Sequence, residues 1–214
     1  MAVDRLAFER QLWHAGQRHI AGVDEAGRGP LAGPVVAAAV VVPRDWIERR
    51  WPEALAGLND SKQLTATERE CFFRELTGCA EVRYGIAAVE ADQIDQLNIL
   101  RATHRAMCEA VALLTPPADH ALVDGLPVPA LPCPHTALVK GDARSYAIAA
   151  ASVLAKVTRD RRMLEADRLF PAYGFARHKG YPTREHLAAI ARHGPCPLHR
   201  RSFAPLRTAG PELW

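Results

Sequence analysis

The chain has 214 residues, 49% of them hydrophobic and 24% charged, which suits one packed domain and excludes global disorder. The net charge of +3 hides an asymmetry: residues 1–154 carry 15 Lys or Arg against 19 Asp or Glu, and residues 155–214 carry 12 against 5, a basic end suited to a polyanion. Five cysteines (Cys71, Cys79, Cys108, Cys133, Cys196) contain no Cys-x-x-Cys pair, the start MAVDRLAFERQLW is too charged for a secretory signal, and no apolar run is long enough to span a membrane, so zinc, disulfide and membrane roles give way to a cytoplasmic location with free thiols.

Residues 3–16 set Leu6, Phe8, Leu12 and Trp13 at helical spacing and predict a short lead helix. His19–Asp24 and Pro34–Val42 are apolar runs of strand length, parted by a Gly-Arg-Gly-Pro turn, and predict two paired strands. Residues 44–62 read as loop and turn. Thr65 and Glu68 form a Thr-x-x-Glu capping pattern for a helix to about Leu76. Glu81–Val89 predicts a third strand, and Ala91–Leu114 one or two helices stopped by Thr115-Pro116-Pro117. His120–Val123 is a short buried strand running into Asp124-Gly125. The proline-rich stretch Leu126–Pro134 predicts a surface loop, and Ala137–Val139 another strand. Ser145–Leu169 is a long helix whose Ala-rich first half packs closely against something. Residues 170–182 are turn-rich; Thr183 and Glu185 open a further helix that Gly194-Pro195 ends. The last twenty residues, rich in Pro, His and Arg, are expected to be partly disordered. Strands come first and then alternate with helices, the order of an α/β mixed sheet with helices on its faces. Ligands in such folds sit at strand ends.

Four acids share that position. Asp24 and Glu25 end the first strand, Asp124 ends the strand in ALVDG, and Asp142 follows a strand in LVKGDARS. Taken singly, each has a plain reading: solvated acids on a surface turn, a turn starter before Gly125, a helix N-cap. Clustered at one sheet rim they repel, and cannot all stay ionised without cations. Two divalent ions about 4 Å apart would satisfy them, the two-metal arrangement for phosphoryl transfer. The turn Gly27-Arg28-Gly29 adds close backbone approach and a bidentate phosphate donor. Lys62, Lys140, Lys156 and Lys179 are candidate phosphate contacts, and the doublets Arg161-Arg162 and Arg200-Arg201 could steer a duplex without reading its sequence. His178, His186, His193 and His199 have irregular spacing and no accompanying zinc pattern. A noncatalytic nucleic-acid binder would explain the basic end but not the acids. A nucleotide-binding loop of the Walker type is absent.

These motifs carry a resemblance. GVDEAGRGPLAGPV at residue 22, LNDSKQLT at 58–65, DQLNILRATHRAM at 95–107 and LVDG at 122–125 are followed by KGDARSYAIAAASVLAKVTRDR at 140–161, HKGYPTREHL at 178–187 and HRRSF at 199–203. In this order the chain resembles the ribonuclease HII family, the type 2 ribonucleases H. The resemblance implies a ribonuclease H-like mixed five-stranded sheet flanked by helices, with a catalytic domain over 1–169 and a small helical substrate-binding extension over 170–214. It implies that Asp24, Glu25, Asp124 and Asp142 hold two Mg²⁺ or Mn²⁺ ions. It assigns junction sensing to Gly27, Arg28 and Gly29, ribonucleotide 2′-hydroxyl recognition to Tyr181 (with Tyr173 the lesser candidate), and substrate contacts to Ser61, Lys62 and Lys140. Gln63 stands where a second basic residue is often seen, which weakens one phosphate contact. The implied activity is cleavage of RNA in RNA–DNA hybrids and incision 5′ to single ribonucleotides in duplex DNA, leaving 3′-hydroxyl and 5′-phosphate ends. The expected enzyme is a monomer with no membrane partner. The rival readings are a related ribonuclease H-like nuclease acting on hybrids only, or one of the same broad fold with different specificity, such as ribonuclease HIII or a junction resolvase; Gly-Arg-Gly directly after Asp-Glu favours type HII.

Overall fold

The computed structural model describes residues 4–207. Helix α1 (Ala7–His14) leads into strands β1 (Ile20–Ala26) and β2 (Val35–Val41). Helices α2 (Arg44–Glu48) and α3 (Ala66–Gly78) follow, then β3 (Arg83–Val89) and helices α4 (Ala91–Leu97) and α5 (Ile99–Ala112). Strands β4 (His120–Asp124) and β5 (His135–Leu138), the long α6 (Tyr146–Leu169), and α7 (Phe175–His178) and α8 (Arg184–His193) complete the order. Thr65 caps α3 in a full capping box with Glu68, as the sequence pattern predicts. Asn98, at φ 70°, breaks the 91–114 segment into two helices and caps the second by accepting from the Arg101 amide.

One expectation needs correction. Residues 44–62 are not all loop: α2 and a 3₁₀ turn at Glu53–Leu55 form there, each after a proline, because Ile47, Leu55 and Leu58 bury against the long helix α6. The 170–182 stretch is turn-rich as expected: a 3₁₀ turn at Pro171–Tyr173 and the one-turn α7, held by burial of Tyr173 and Phe175. Residues 195–207 are built into the fold, with His199 bridged to Ala32 and Arg200 fully buried; the remainder of the tail lies outside the described residues.

The sheet order is β3-β2-β1-β4-β5. β1, β2 and β3 pair antiparallel, while β1 with β4 and β4 with β5 pair parallel. Both faces are covered. Val35, Ala37, Ala39 and Val41 of β2 pack with α5, and the alternate residues Ala38 and Val40 pack with α6. A strand buried on both sides has no polar face, so β2 reads as one unbroken apolar run. The α6 backbone lies directly on β1: a Cβ at Gly22 would stand 2.0 Å from the Ala147 carbonyl carbon. That closeness is why the first half of α6 is Ala-rich.

The C-terminal helices join the sheet through the loop after β1. Arg200 donates to the carbonyls of Gly27, Arg28, Pro30 and Gly33 at 2.6–3.0 Å. Arg159, also buried, donates to the carbonyls of Ala32, Pro34 and Lys179 at 3.0–3.1 Å. Two interior guanidiniums thus satisfy carbonyls of a loop whose only bridge is Ala32 to His199 among the described residues.

Candidate active site

Strand register brings the acids together. Val23 of β1 lies opposite Val123 of β4 in a parallel pair, so the next residues stand at the same level, Asp24 still inside β1 and Asp124 the last residue of β4. β5 pairs Leu138 with Asp124, and the chain then turns through left-handed Lys140 into the Gly141–Ala143 turn that carries Asp142. Adjacent strand residues point to opposite faces. Asp24 therefore turns toward α6 and Glu25 toward α5, and the two bracket the sheet rim. A cleft of about 370 Å³ is lined by Asp24, Glu25 and Asp124 with Gly27, Arg28, Gly29, Ser61, Lys62 and Tyr181. A smaller hollow on the α5 side shares Glu25, Arg28 and Asp124 and adds Thr103, His104 and Met107.

Each carboxylate is held by a local donor. Asp24 accepts from the Glu25 amide at 2.7 Å, Asp124 from Gly141 at 2.7 Å and Asp142 from Ala143 at 2.9 Å. Arg28 reaches Glu25 at 3.3 Å. The helix N-cap is Ser145, not Asp142. Burial, then Glu25 and Asp124, push the Asp24 carboxyl well above the usual carboxylate range. Burial also raises Glu25, with Arg28 pulling it back. Asp142 is raised by burial and by the charges of Asp60 and Asp124. Burial works against the Lys62 ammonium, yet Asp60, Asp24, Asp142 and Asp124 together hold it above its ordinary value. The rim is a concentration of negative charge made of hard oxygen donors, the donor set that suits Mg²⁺ or Mn²⁺. Among the described residues no three His, Cys, Asp or Glu side chains close into a ready metal-holding group; the acids share the rim but each leans on its own donor.

The other sequence-derived candidates divide. Gly29 and Tyr181 meet: a Cβ on Gly29 would lie 3.7 Å from the Tyr181 ring, which is 45% exposed. Gly27, at φ +98°, has its Cα pressed toward Arg159 and admits no side chain. Ser61 lines the cleft but is buried, its hydroxyl accepting from Ser152 at 2.9 Å. Lys140 is exposed and does not line the cleft. Tyr173 is buried away from it, donating to the Gly194 carbonyl. The reading of Arg200 as a duplex contact is overturned by its burial beneath the Gly-Arg-Gly loop. Arg161 and Arg162 pair with Glu70 and Glu90 at the surface. Sequence reasoning missed Asp60, which adds charge beside Lys62; Ser152, which pulls the Asp24 carboxyl back toward ionisation; and Arg159. Asp60 was legible in the run Asn59-Asp60-Ser61-Lys62; nothing in sequence marks Ser152 out from its apolar neighbours except its polarity.

No helix among the described residues is long and apolar enough to cross a membrane. The ribonuclease HII family model matches residues 21–206. A ribonuclease HII of Geobacillus kaustophilus is 57% identical over 202 residues, covering 94% of this chain and 74% of that protein. The crystal structure of ribonuclease H2 from Pyrococcus horikoshii superposes with a TM-score of 0.73 at 29% identity, covering 89% of this chain and 96% of that one. An Archaeoglobus fulgidus RNase HII, solved in complex with PCNA, gives 0.71 at 26% identity, over 90% and 98% of the two chains. The five-stranded mixed sheet, the acids gathered at its rim and these likenesses together place the chain in the ribonuclease HII family, the type 2 ribonuclease H hydrolases.

Proposed function

We propose that this enzyme cleaves RNA strands in RNA–DNA hybrids and also incises duplex DNA on the 5′ side of a single embedded ribonucleotide, a step in ribonucleotide removal. The observation that carries the reading is the cleft itself. Acids from β1 and β4 stand in register beside Gly29 and Tyr181, so a phosphate at the acids sets the adjoining ribose against the Gly-Arg-Gly backbone and the tyrosine ring. A protein that tells RNA from DNA at one nucleotide must read the 2′-hydroxyl. Bare backbone and a hydroxylated ring suit that task.

Asp24, Glu25, Asp124 and Asp142 would hold two Mg²⁺ or Mn²⁺ ions. When bound, such ions activate water and stabilise the leaving oxygen. The acids orient the scissile phosphate by holding that charge at the rim, and Lys62 offsets their repulsion. Arg28, half exposed, swings between Glu25 and a phosphate. Water attacks phosphorus and the bond to the 3′ oxygen of the preceding nucleotide breaks, leaving 3′-hydroxyl and 5′-phosphate ends. The 2′-hydroxyl of the recognised ribonucleotide sits on the other side of the phosphate and is not the nucleophile. Lys156 lines both this cleft and a neighbouring groove where Arg69, Arg161, Arg177 and Lys179 outnumber Glu70 and Asp160, which pair with Arg161 and Lys156. That groove, which Arg177 and Lys179 of the proposed substrate-binding extension help to line, gives the duplex backbone a basic track. A monomer is sufficient, since one chain supplies every residue named.

The test is cleavage of an RNA–DNA hybrid over a Mg²⁺ and Mn²⁺ titration, for the native enzyme and for Asp24→Asn and Asp124→Asn. Metal-dependent cutting that both substitutions abolish supports the reading; cutting that persists in chelator overturns it.

A further inference from the structure

Beneath Tyr181 lies a buried set of histidines that the chemistry above does not use. His186 is 0% and His199 2% exposed. We propose that His199 and His186 form a hydrogen-bond relay of fixed tautomers that sets the position of Tyr181, making both positioning residues for ribonucleotide recognition. The proposal rests on the reading of Tyr181 given above.

The tautomers follow from the partners. The Cys196 amide lies 2.9 Å from His199 Nδ1. A backbone N–H only donates, so Nδ1 accepts. The Cys196 carbonyl at 3.3 Å and Sγ at 3.1 Å lie farther from the same nitrogen. The proton of neutral His199 is then on Nε2, which faces His186 Nε2 at 3.0 Å. Two ring nitrogens at that distance need one donor and one acceptor, so His186 Nε2 accepts and its proton is on Nδ1. That nitrogen lies 2.9 Å from the Tyr181 carbonyl and donates to it. One direction of hydrogen bonding satisfies every group: Cys196 amide to His199, His199 to His186, His186 to Tyr181. Burial, with the neighbouring His186, pushes His199 down to about 4, and burial lowers His186. Both rings are therefore neutral at neutral pH, as the relay requires.

The relay is braced on both sides. His178 stacks on His186 with ring centroids 4.4 Å apart. It donates through Nε2 to the Tyr173 carbonyl and accepts the Gly180 amide on Nδ1. The Tyr181 amide donates to the His178 carbonyl, so both backbone groups of Tyr181 are tied to this set. The same segment reaches the loop after β1: the Leu31 amide donates to the Gly180 carbonyl, and the Arg200 amide, next to His199, donates to the Leu31 carbonyl. Tyr181 and the Gly-Arg-Gly turn thus share one rigid support. Side chains that hold a recognition group in place set rate more than affinity, because small misplacements at the reacting phosphate are costly.

Two measurements test this. Nitrogen-15 NMR of the imidazoles in the native protein reads the tautomers directly, without any substitution. The proposal requires His199 protonated on Nε2 and His186 on Nδ1; the opposite tautomer at either ring, or a charged ring at neutral pH, overturns it. Single-turnover cleavage of a duplex with one ribonucleotide is then compared for His186→Phe, His186→Asn, Tyr181→Ala and the double variant His186→Phe/Tyr181→Ala. His186→Phe should slow cleavage roughly tenfold or more with duplex affinity little changed, and His186→Asn, which keeps a donor near the Nδ1 position, should recover most of the rate. The double variant should be no slower than Tyr181→Ala alone, since both act through one residue. Multiplying effects would overturn action through Tyr181. A silent Tyr181→Ala overturns the recognition reading by itself, and the tautomers still decide the relay.

Discussion

Arg200→Met removes the donor that the Gly-Arg-Gly loop leans on while keeping an apolar stem of similar length. Arg200 is fully buried and satisfies the carbonyls of Gly27, Arg28, Pro30 and Gly33. Burial, with Arg159 nearby, lowers its pKa to about 9, so it remains charged at neutral pH. A buried acceptor left without a partner costs about 1–3 kcal/mol. The Pro30 and Gly33 carbonyls, whose bonds are fully buried, give about 2–6 kcal/mol together, a large share of a typical stability of about 5–15 kcal/mol. Arg200→Lys keeps the charge but offers a compact ammonium with three donors in place of a planar fork, so a loss of about 2 kcal/mol is expected. Urea unfolding at neutral pH reads both values, with an unchanged slope confirming two-state behaviour. The lysine variant, which stays folded, should also cut a single-ribonucleotide duplex more slowly, because its loop no longer holds Arg28 and Gly29 in place. An Arg200→Met protein within 1 kcal/mol of the native one would refute the idea that this guanidinium carries the loop.

Asp24→Asn, Glu25→Gln, Asp124→Asn and Asp142→Asn should each lower turnover by about a hundredfold or more, yet unfold at equal or higher urea, since repulsion at the rim is relieved. The gain should be largest for Asp24, the acid raised furthest; near-native rates in all four would sink the metal assignment. Gly29→Ala places a methyl 3.7 Å from the Tyr181 ring, an ordinary contact, and should spare stability while slowing single-ribonucleotide cleavage; Gly27→Ala meets Arg159 Nε at 2.1 Å with φ +98° and should lower the thermal midpoint as well. Stability should also fall in acid. His199 moves from 6.5 unfolded to about 4 folded, so its contribution is complete above pH 6.5 and is lost between there and pH 4, by up to about 3 kcal/mol. His186, His178, Cys196 and Tyr173 are the titratable groups facing it. Urea midpoints at pH 8, 6 and 4.5 measure this, and a flat profile contradicts it.

The acids and the sheet were legible because their signals are local. Asp24, Glu25 and Asp124 each follow an apolar run, and β2 is a single burst of Val and Ala. The capping box at Thr65 needs only four residues. What escaped the sequence depends on distant partners. Arg200 and Arg201 look alike as a doublet, but Arg200 is buried under the residue 27–33 loop while Arg201 is exposed. The Ser61–Ser152 contact joins residues 91 positions apart. The adjacency of Asp24 and Glu25 hides their opposite directions, which only strand geometry reveals. The late histidines, spaced unlike any ligand motif, are a set only once α7, α8 and the tail converge.

Recognition of one 2′-hydroxyl is read by single-turnover cleavage of two duplexes identical except at that position. With Mg²⁺ or Mn²⁺ present, the enzyme should make one cut 5′ to the ribonucleotide, leave 3′-hydroxyl and 5′-phosphate ends, and spare the all-DNA duplex. Equal cutting of both duplexes, or a 2′,3′-cyclic phosphate at the product end, would contradict the proposed function.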